Sequence, residues 1–275
     1  MVRRALTVTL AGIRNLPVAE VDLEAVLRVL KPIWIATPET GKRLREKIEA
    51  ILDAATAKGL RQGDNPARWR GHLEHLLPKR PKLAKSHHAA MPYRDLPAFM
   101  SKLRSLDTVA ALALEFTILT AARSGEVYGC RWEEIDFDGK VWTLLPSRMK
   151  AGRQHRVPLS DPAILVLRRI AAIRSNEWVF PGQRAGKPLS HIAMANVLKR
   201  LGIENATPHG FRSAFRDWAG NETDFAREVC EAALAHSVGD QAEQSYRRED
   251  ALEKRRQLMT LWADYLGATS MSRPR

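Results

Sequence analysis

From Val21 to Leu60 the apolar residues recur at helical spacing. Thr37-Pro38, followed by a run to Lys58-Gly59, reads as N-cap, first-turn proline, helix and terminal glycine. The periodicity fades between Leu77 and Pro92, where Pro78, Lys79, Arg80, Pro81, Lys82 and Lys85 read as a basic linker. A strongly apolar helix is expected from Thr108 to Ala122, leading into Arg123. Glu133 to Leu159 then switches to strand-like patterning. A hairpin turn at Asp138-Gly139 and a second turn at Ala151-Gly152 suggest a three-strand meander. Helical spacing returns over Asp161–Arg174, Ser190–Leu201, Pro208–Ala219, Ala226–Ala235 and Asp250–Leu266. The pattern predicts a mainly α fold with a small antiparallel β-sheet. It divides the chain into a helical domain over 1–85 and a mixed, larger domain over 86–275.

A chain of 275 residues, 45% hydrophobic, can bury one good core or two modest ones. Its formal net charge of +13 raises the local concentration of polyanions such as DNA or RNA, and charge alone would also suit a membrane-surface or ribosomal protein. The stretch to Lys85 carries 17 Lys and Arg against 9 Asp and Glu, so the smaller part is the denser in charge. Lys42, Arg43, Arg45 and Lys47 crowd the first turns of a helix, where the macrodipole disfavours cations. An anion outside the protein and a merely solvated basic face both account for them. No run approaches the ~20 apolar residues of a spanning helix, and the opening stretch is too short and polar for a signal peptide, which places the chain in the cytosol. Cys130 and Cys230 have no metal-binding or redox spacing and read as buried thiols.

Candidate chemistry begins at Thr207-Pro208-His209-Gly210-Phe211-Arg212. Thr207 as N-cap and Pro208 at the first helical position would put His209 and Arg212 on one face near a helix N-terminus. Arg212 can fork onto two phosphate oxygens there, and His209 can donate a hydrogen bond or move a proton. A histidine packed beside a surface arginine is the plainer account of such a pair. Arg123 ends an apolar run and has Glu126 three residues on, able to fix its rotamer. It is either a local ion pair or a second phosphate clamp. Lys150, near the second turn, is either a solvated charge or an acid able to protonate a leaving group. Tyr246, between Ser245 and Arg247-Arg248, is the best nucleophile of the tyrosines, because neighbouring cations stabilise a phenolate. Tyr93 sits by the linker, Tyr128 in an apolar helix continuation, and Tyr265 on the apolar stripe of the last helix. No Walker loop or cluster of metal-binding carboxylates stands out, so neither ATP nor a cofactor is expected.

The order Arg123, Lys150, His209-x-x-Arg212, His236, Tyr246 resembles the tyrosine recombinases, and the wording TAARSGEVYGCRW, HGFRSAFRDWA and LAHSVGDQAEQSYRR resembles phage and genomic-island integrases. The likeness covers nearly the whole chain from about Val18. It implies that Arg123 and Arg212 hold a scissile phosphate and that Lys150 is the general acid. His209 and His236 would assist proton transfer and phosphate binding, and Tyr246 would be the nucleophile that forms a 3′-phosphotyrosine bond. It further implies a core-binding role for the first domain, catalysis in the second, double-stranded attachment-site DNA as partner, and a tetramer on that DNA formed from free monomers. An excisionase or host DNA-bending protein would assist.

Two features depart from the family pattern. Ala235 stands where glycine is usual, and Met1 to Leu16 offers little of an arm-binding domain or a first core-binding helix. Leu258, Leu261, Trp262, Tyr265 and Leu266 form a stripe that either packs on its own domain or docks on a neighbouring protomer. Three other readings remain: a DNA-binding remnant without catalysis, a type IB topoisomerase-like strand transferase and, with less in its favour, a metal-dependent nuclease.

Overall fold

The computed structural model describes residues 13–79, 89–149, 152–236 and 251–268. The chain divides into two compact units, Met1–Lys85 and Ser86–Arg275.

In the first unit, α1 spans Leu23–Trp34 and α2 spans Pro38–Ala57. Asp22 caps α1, its carboxylate accepting from the Ala25 N–H at 2.8 Å. Thr37 precedes Pro38 as expected, but its hydroxyl donates backwards to the Ile33 carbonyl at 3.3 Å, so it seals the end of α1 and makes no cap bond to α2. Val26, Leu30 and Trp34 of α1 bury against Ile48 and Leu52 of α2. Trp34 is held at its rim, with Nε1 donating to the Pro78 carbonyl at 2.9 Å.

The basic run at the start of α2 is largely paired within the unit. Arg45 is buried, donating to Glu49 at 2.5 Å and to the Ala67 carbonyl at 3.0 Å, with its guanidinium over the Trp69 ring. Arg43 meets Glu39 and Lys42 meets Glu46 across single helical turns. Arg45 is therefore a core-facing residue and no part of a basic outer face.

The second unit is organised around α4, Val109–Thr120, whose side chains from Ala111 onward are all buried. Thr108 caps it, accepting from the Ala111 N–H at 3.2 Å. Against α4 pack α3 (Leu96–Arg104), α5 (Ser124–Tyr128), α6 (Asp161–Ala171), α7 (Ala193–Arg200) and α10 (Leu252–Gly267). Helix α3 is not expected from the sequence, because nine residues opened by Leu96-Pro97 are too few to show a clear period. Tyr128 does not continue α4. Ala121 adopts the left-handed conformation at φ +49, breaking the run, and α5 starts afresh.

Strands β1 (Ile135–Asp136), β2 (Val141–Leu144) and β3 (His155–Pro158) form an antiparallel meander in the order β1-β2-β3. The first turn differs in detail from a two-residue hairpin. Four residues connect the strands, Lys140 takes the positive φ, and Asp136 accepts from the N–H groups of Asp138 and Gly139. Gly139 leaves room for that close approach, since a Cβ there would lie 2.4 Å from the Asp136 carboxylate and displace it. Between β2 and β3, Pro146–Arg148 forms a 3₁₀ turn, and Lys150 and Ala151 lie outside the described residues. The expected linker over 77–92 falls largely outside them too.

Helices α8 (Gly210–Glu222) and α9 (Arg227–Ala233) complete the unit. The apolar stripe of α10 turns inward. Leu258, Met259, Trp262 and Leu266 are buried, and Trp262 Nε1 donates to the Ile118 carbonyl at 2.8 Å. The helix packs on its own unit, with Leu261 left facing solvent.

Candidate functional site

The site is built where the C-termini of α4 and α9 meet the N-termini of α5 and α8. Arg212 lies in the first turn of α8 and is 5% exposed. Its Nη1 donates to the Ala121 carbonyl at 2.5 Å and its Nη2 to the Leu234 carbonyl at 2.6 Å. Both acceptors stand at helix C-termini, where unpaired carbonyls and the negative dipole end favour a cation. His236 Nε2 is 3.2 Å from the same Nη2. Among the described residues, this buried guanidinium is thus held by two carbonyls and an imidazole, with no carboxylate hydrogen-bonded to it. Burial pushes its pKa down to about 10, with the neighbouring Arg123 charge adding to the effect and Glu126 and Glu231 opposing it.

Arg123 occupies the N-cap position of α5. Glu126 holds it at two points, accepting from its backbone N–H at 2.8 Å and from Nη1 at 2.8 Å, as the i,i+3 spacing suggested. Arg123 Nη2 reaches the Ala235 carbonyl at 3.3 Å. Each arginine keeps further N–H groups beyond these bonds, so an anion can be gripped without breaking the frame.

The C-terminus of α9 orients His236. Ala235 adopts φ +50, its N–H bonds to the Ala232 carbonyl, and the His236 N–H bonds to the Glu231 carbonyl. This is a Schellman closure, which normally employs glycine at the left-handed position. It swings the imidazole over Glu231, whose Oε2 lies 2.6 Å from Nδ1.

His209 stands immediately before α8, one turn from Arg212, and its carbonyl accepts the Arg212 N–H at 3.1 Å. The helix starts two residues later than expected. Thr207 nonetheless supplies the cap, its hydroxyl accepting from the Gly210 N–H at 3.0 Å. Gly210 permits the tight entry, because a Cβ there would meet the Ala89 carbonyl at 2.2 Å.

The structure therefore brings Arg123, Arg212 and His236 together, with His209 at the same helix start. Lys150 and Tyr246 lie outside the described residues. Four residues that the sequence did not single out belong to the surroundings. Glu231 bridges His236 and Arg216, the latter at 2.9 Å. His155 opens β3 and is held down to about 4, by burial first and then by the charge of Arg255, with Arg123 and Arg212 adding and Glu126 opposing. Arg255 of α10 is buried and donates to the Arg156 carbonyl at 2.5 Å. None of the four carries a local motif. Only the i,i+5 spacing of Glu231 and His236 could have hinted at a pair. Among the described residues, no group of three His, Cys, Asp or Glu side chains is placed to hold a metal ion.

A buried guanidinium held by two carbonyls and an imidazole thus lies beside a second arginine and a carboxylate-held histidine at a helix start, an arrangement with the chemistry to bind an oxyanion. The chain belongs to the phage integrase family: the family model described as "Phage integrase family" matches residues 90–253, and the "Phage integrase central domain" matches residues 1–72. Among relatives, the prophage integrase IntA of Escherichia coli (strain K12) is 29% identical over 94% of this chain and 62% of its own length. Prophage integrase IntZ of the same strain is 32% identical over 90% and 60%. The chain thus spans about three fifths of the length of these curated relatives. Among solved structures, a lambda integrase tetramer bound to a Holliday junction matches with a TM-score of 0.59 at 16% identity, covering 86% of this chain and 71% of that one. At that identity the likeness supports the fold.

Proposed function

We propose that this chain is a site-specific DNA recombinase that cleaves and rejoins double-stranded DNA through a covalent bond to Tyr246. The observation that carries the reading is Arg212, a buried guanidinium held by two carbonyls and an imidazole and set beside Arg123. A phosphodiester entering there would meet both guanidinia. Its charge deepens toward the five-coordinate transition state, where the two arginines gain most.

In this reading the Tyr246 hydroxyl yields its proton to a histidine of the site as its oxygen attacks phosphorus, the P–O5′ bond breaks, and Lys150 protonates the departing 5′-oxygen. His209 and His236 assist phosphate binding and proton transfer. The 3′-phosphotyrosine retains the energy of the diester, so a 5′-hydroxyl from another strand reverses the step without ATP. The other tyrosines suit the role poorly. Tyr93 donates to Glu222 at 2.7 Å, Tyr265 donates to the Tyr93 carbonyl at 3.1 Å, and Tyr128 is buried.

The unit over 1–85 is read as the core-binding half of a DNA clamp and the unit over 86–275 as the catalytic half. Partners follow from the same reading: attachment-site DNA, a tetramer assembled on paired sites, and an excisionase or DNA-bending protein. The reading places the chain in the cytosol, where such DNA is met. Among the described residues, no helix is long and apolar enough to cross a membrane.

Incubation with a nicked suicide substrate carrying the attachment sequence tests the reading. Wild-type protein should form a protein–DNA adduct in the presence of chelator, and Tyr246→Phe should form none while binding DNA within about twofold of wild type, because one oxygen is deleted. Adducts in the phenylalanine variant would move the nucleophile elsewhere. Tight binding without any adduct from wild type would favour the DNA-binding remnant, and supercoil relaxation by monomers the topoisomerase-like reading.

A further inference from the structure

The proposed chemistry uses His236 but not the carboxylate beneath it. Glu231 is 6% exposed, and both its oxygens are engaged: Oε2 with His236 Nδ1 at 2.6 Å and Oε1 with Arg216 Nε at 2.9 Å. On the far side of the ring, Nε2 faces Arg212 Nη2 at 3.2 Å. A guanidinium can only donate and a carboxylate can only accept. The two neighbours therefore specify one arrangement of the neutral ring from opposite sides, with hydrogen on Nδ1 and the lone pair on Nε2. Arg216 opposes any rotation of the carboxylate, and the Schellman closure at Ala235 opposes movement of the ring's backbone.

We propose that Glu231 is a positioning residue that locks His236 in the Nδ1–H tautomer, so the ring presents an unprotonated nitrogen to the phosphate pocket. The pocket otherwise offers donors, from Arg123 and Arg212. In the free protein Nε2 accepts from Arg212, and it can take up a proton during the chemistry and then donate to the phosphate, whereas the opposite tautomer would set an N–H against the Arg212 N–H. The proposal rests on reading His236 as a site residue, but the tautomer itself can be measured without any catalysis.

The test has two arms. In long-range ¹H–¹⁵N spectra of the free protein, His236 should carry its proton on Nδ1. Glu231→Gln, whose amide can donate or accept, should give mixed tautomers, and Glu231→Asp should keep the carboxylate and recover the Nδ1–H form. In single-turnover cleavage, Glu231→Gln should slow the rate about 10- to 100-fold with DNA affinity changed less than about twofold, in line with the usual effect of removing a ligand-orienting partner. In the His236→Ala background the same substitution should cost almost nothing more, since Glu231 acts through that ring. An Nε2–H tautomer in wild type overturns the proposal, as does an equal loss with and without His236, which would make Glu231 purely structural. Absence of cleavage by wild-type protein would refute the recombinase reading, leaving the spectra to decide the role of Glu231.

Discussion

Ala235 ends α9 at φ +50, a conformation in which a Cβ crowds the following carbonyl. Ala235→Gly is expected to stabilise the second unit by about 1 kcal/mol, offset in part by the greater freedom of glycine in the unfolded chain. Urea unfolding checks this, and a lower midpoint would mean that the methyl group contributes packing worth more than the strain. His155 gives a pH signature. Its folded-state value of about 4 lies below the ordinary 6.5, so the unfolded chain takes up a proton first as pH falls. The stability it contributes is complete above about pH 6.5 and is lost on acidification toward 4. Urea midpoints at several pH values across that range should therefore fall more steeply for wild type than for His155→Gln. Parallel curves would show that another group is titrating.

At the scale of elements, the start of α8 matters most, because it carries His209 and Arg212 and grazes the backbone at Ala89. Gly210→Ala should force the helix start outward, costing roughly 1–3 kcal/mol of stability and, under the proposed function, weakening DNA cleavage with it. An unchanged melting temperature would show that the segment around Ala89 yields freely. Helix α10 is anchored by Trp262, fully buried with its indole donating to α4. Trp262→Ala should cost roughly 3–5 kcal/mol in the isolated protein, before any DNA or second protomer is present. A cost that emerged only in DNA-bound assemblies would instead restore an intermolecular role for this helix.

For the whole molecule, the net charge of +13 governs how strongly a polyanion is drawn in and how steeply salt weakens that attraction. If DNA is the partner and roughly six to ten phosphates are neutralised, affinity should fall on the order of 10³- to 10⁵-fold between about 50 and 200 mM salt. Arg123→Ala should then lower the slope of log affinity against log salt by about one, because the proposed function sets that charge against a phosphate. Equal slopes for the two proteins would place Arg123 outside the contact surface. Not every cation contributes to that slope, since Arg45 is paired with Glu49 and faces the core of its unit.

Local patterning was enough to mark the long helices, the meander and the order of the motif residues, because caps, period and turn residues act within a few positions along the chain. Thr108, Thr207 and the Arg123–Glu126 pair belong to that class. The environment of the motif residues was not legible in the same way. Arg212 finds its acceptors 91 residues upstream and 22 downstream, and Arg123 finds one 112 residues away. The left-handed backbone at Ala121 and Ala235 carries no glycine to announce it, and Glu231, His155 and Arg255 join the site by packing alone. The sequence by itself determined the long helices, the meander and the order in which the arginines, histidines and tyrosine of the motif follow one another. Only the tertiary structure decided which carbonyls and carboxylates surround those side chains, because burial and hydrogen bonding between distant segments depend on how the helices pack.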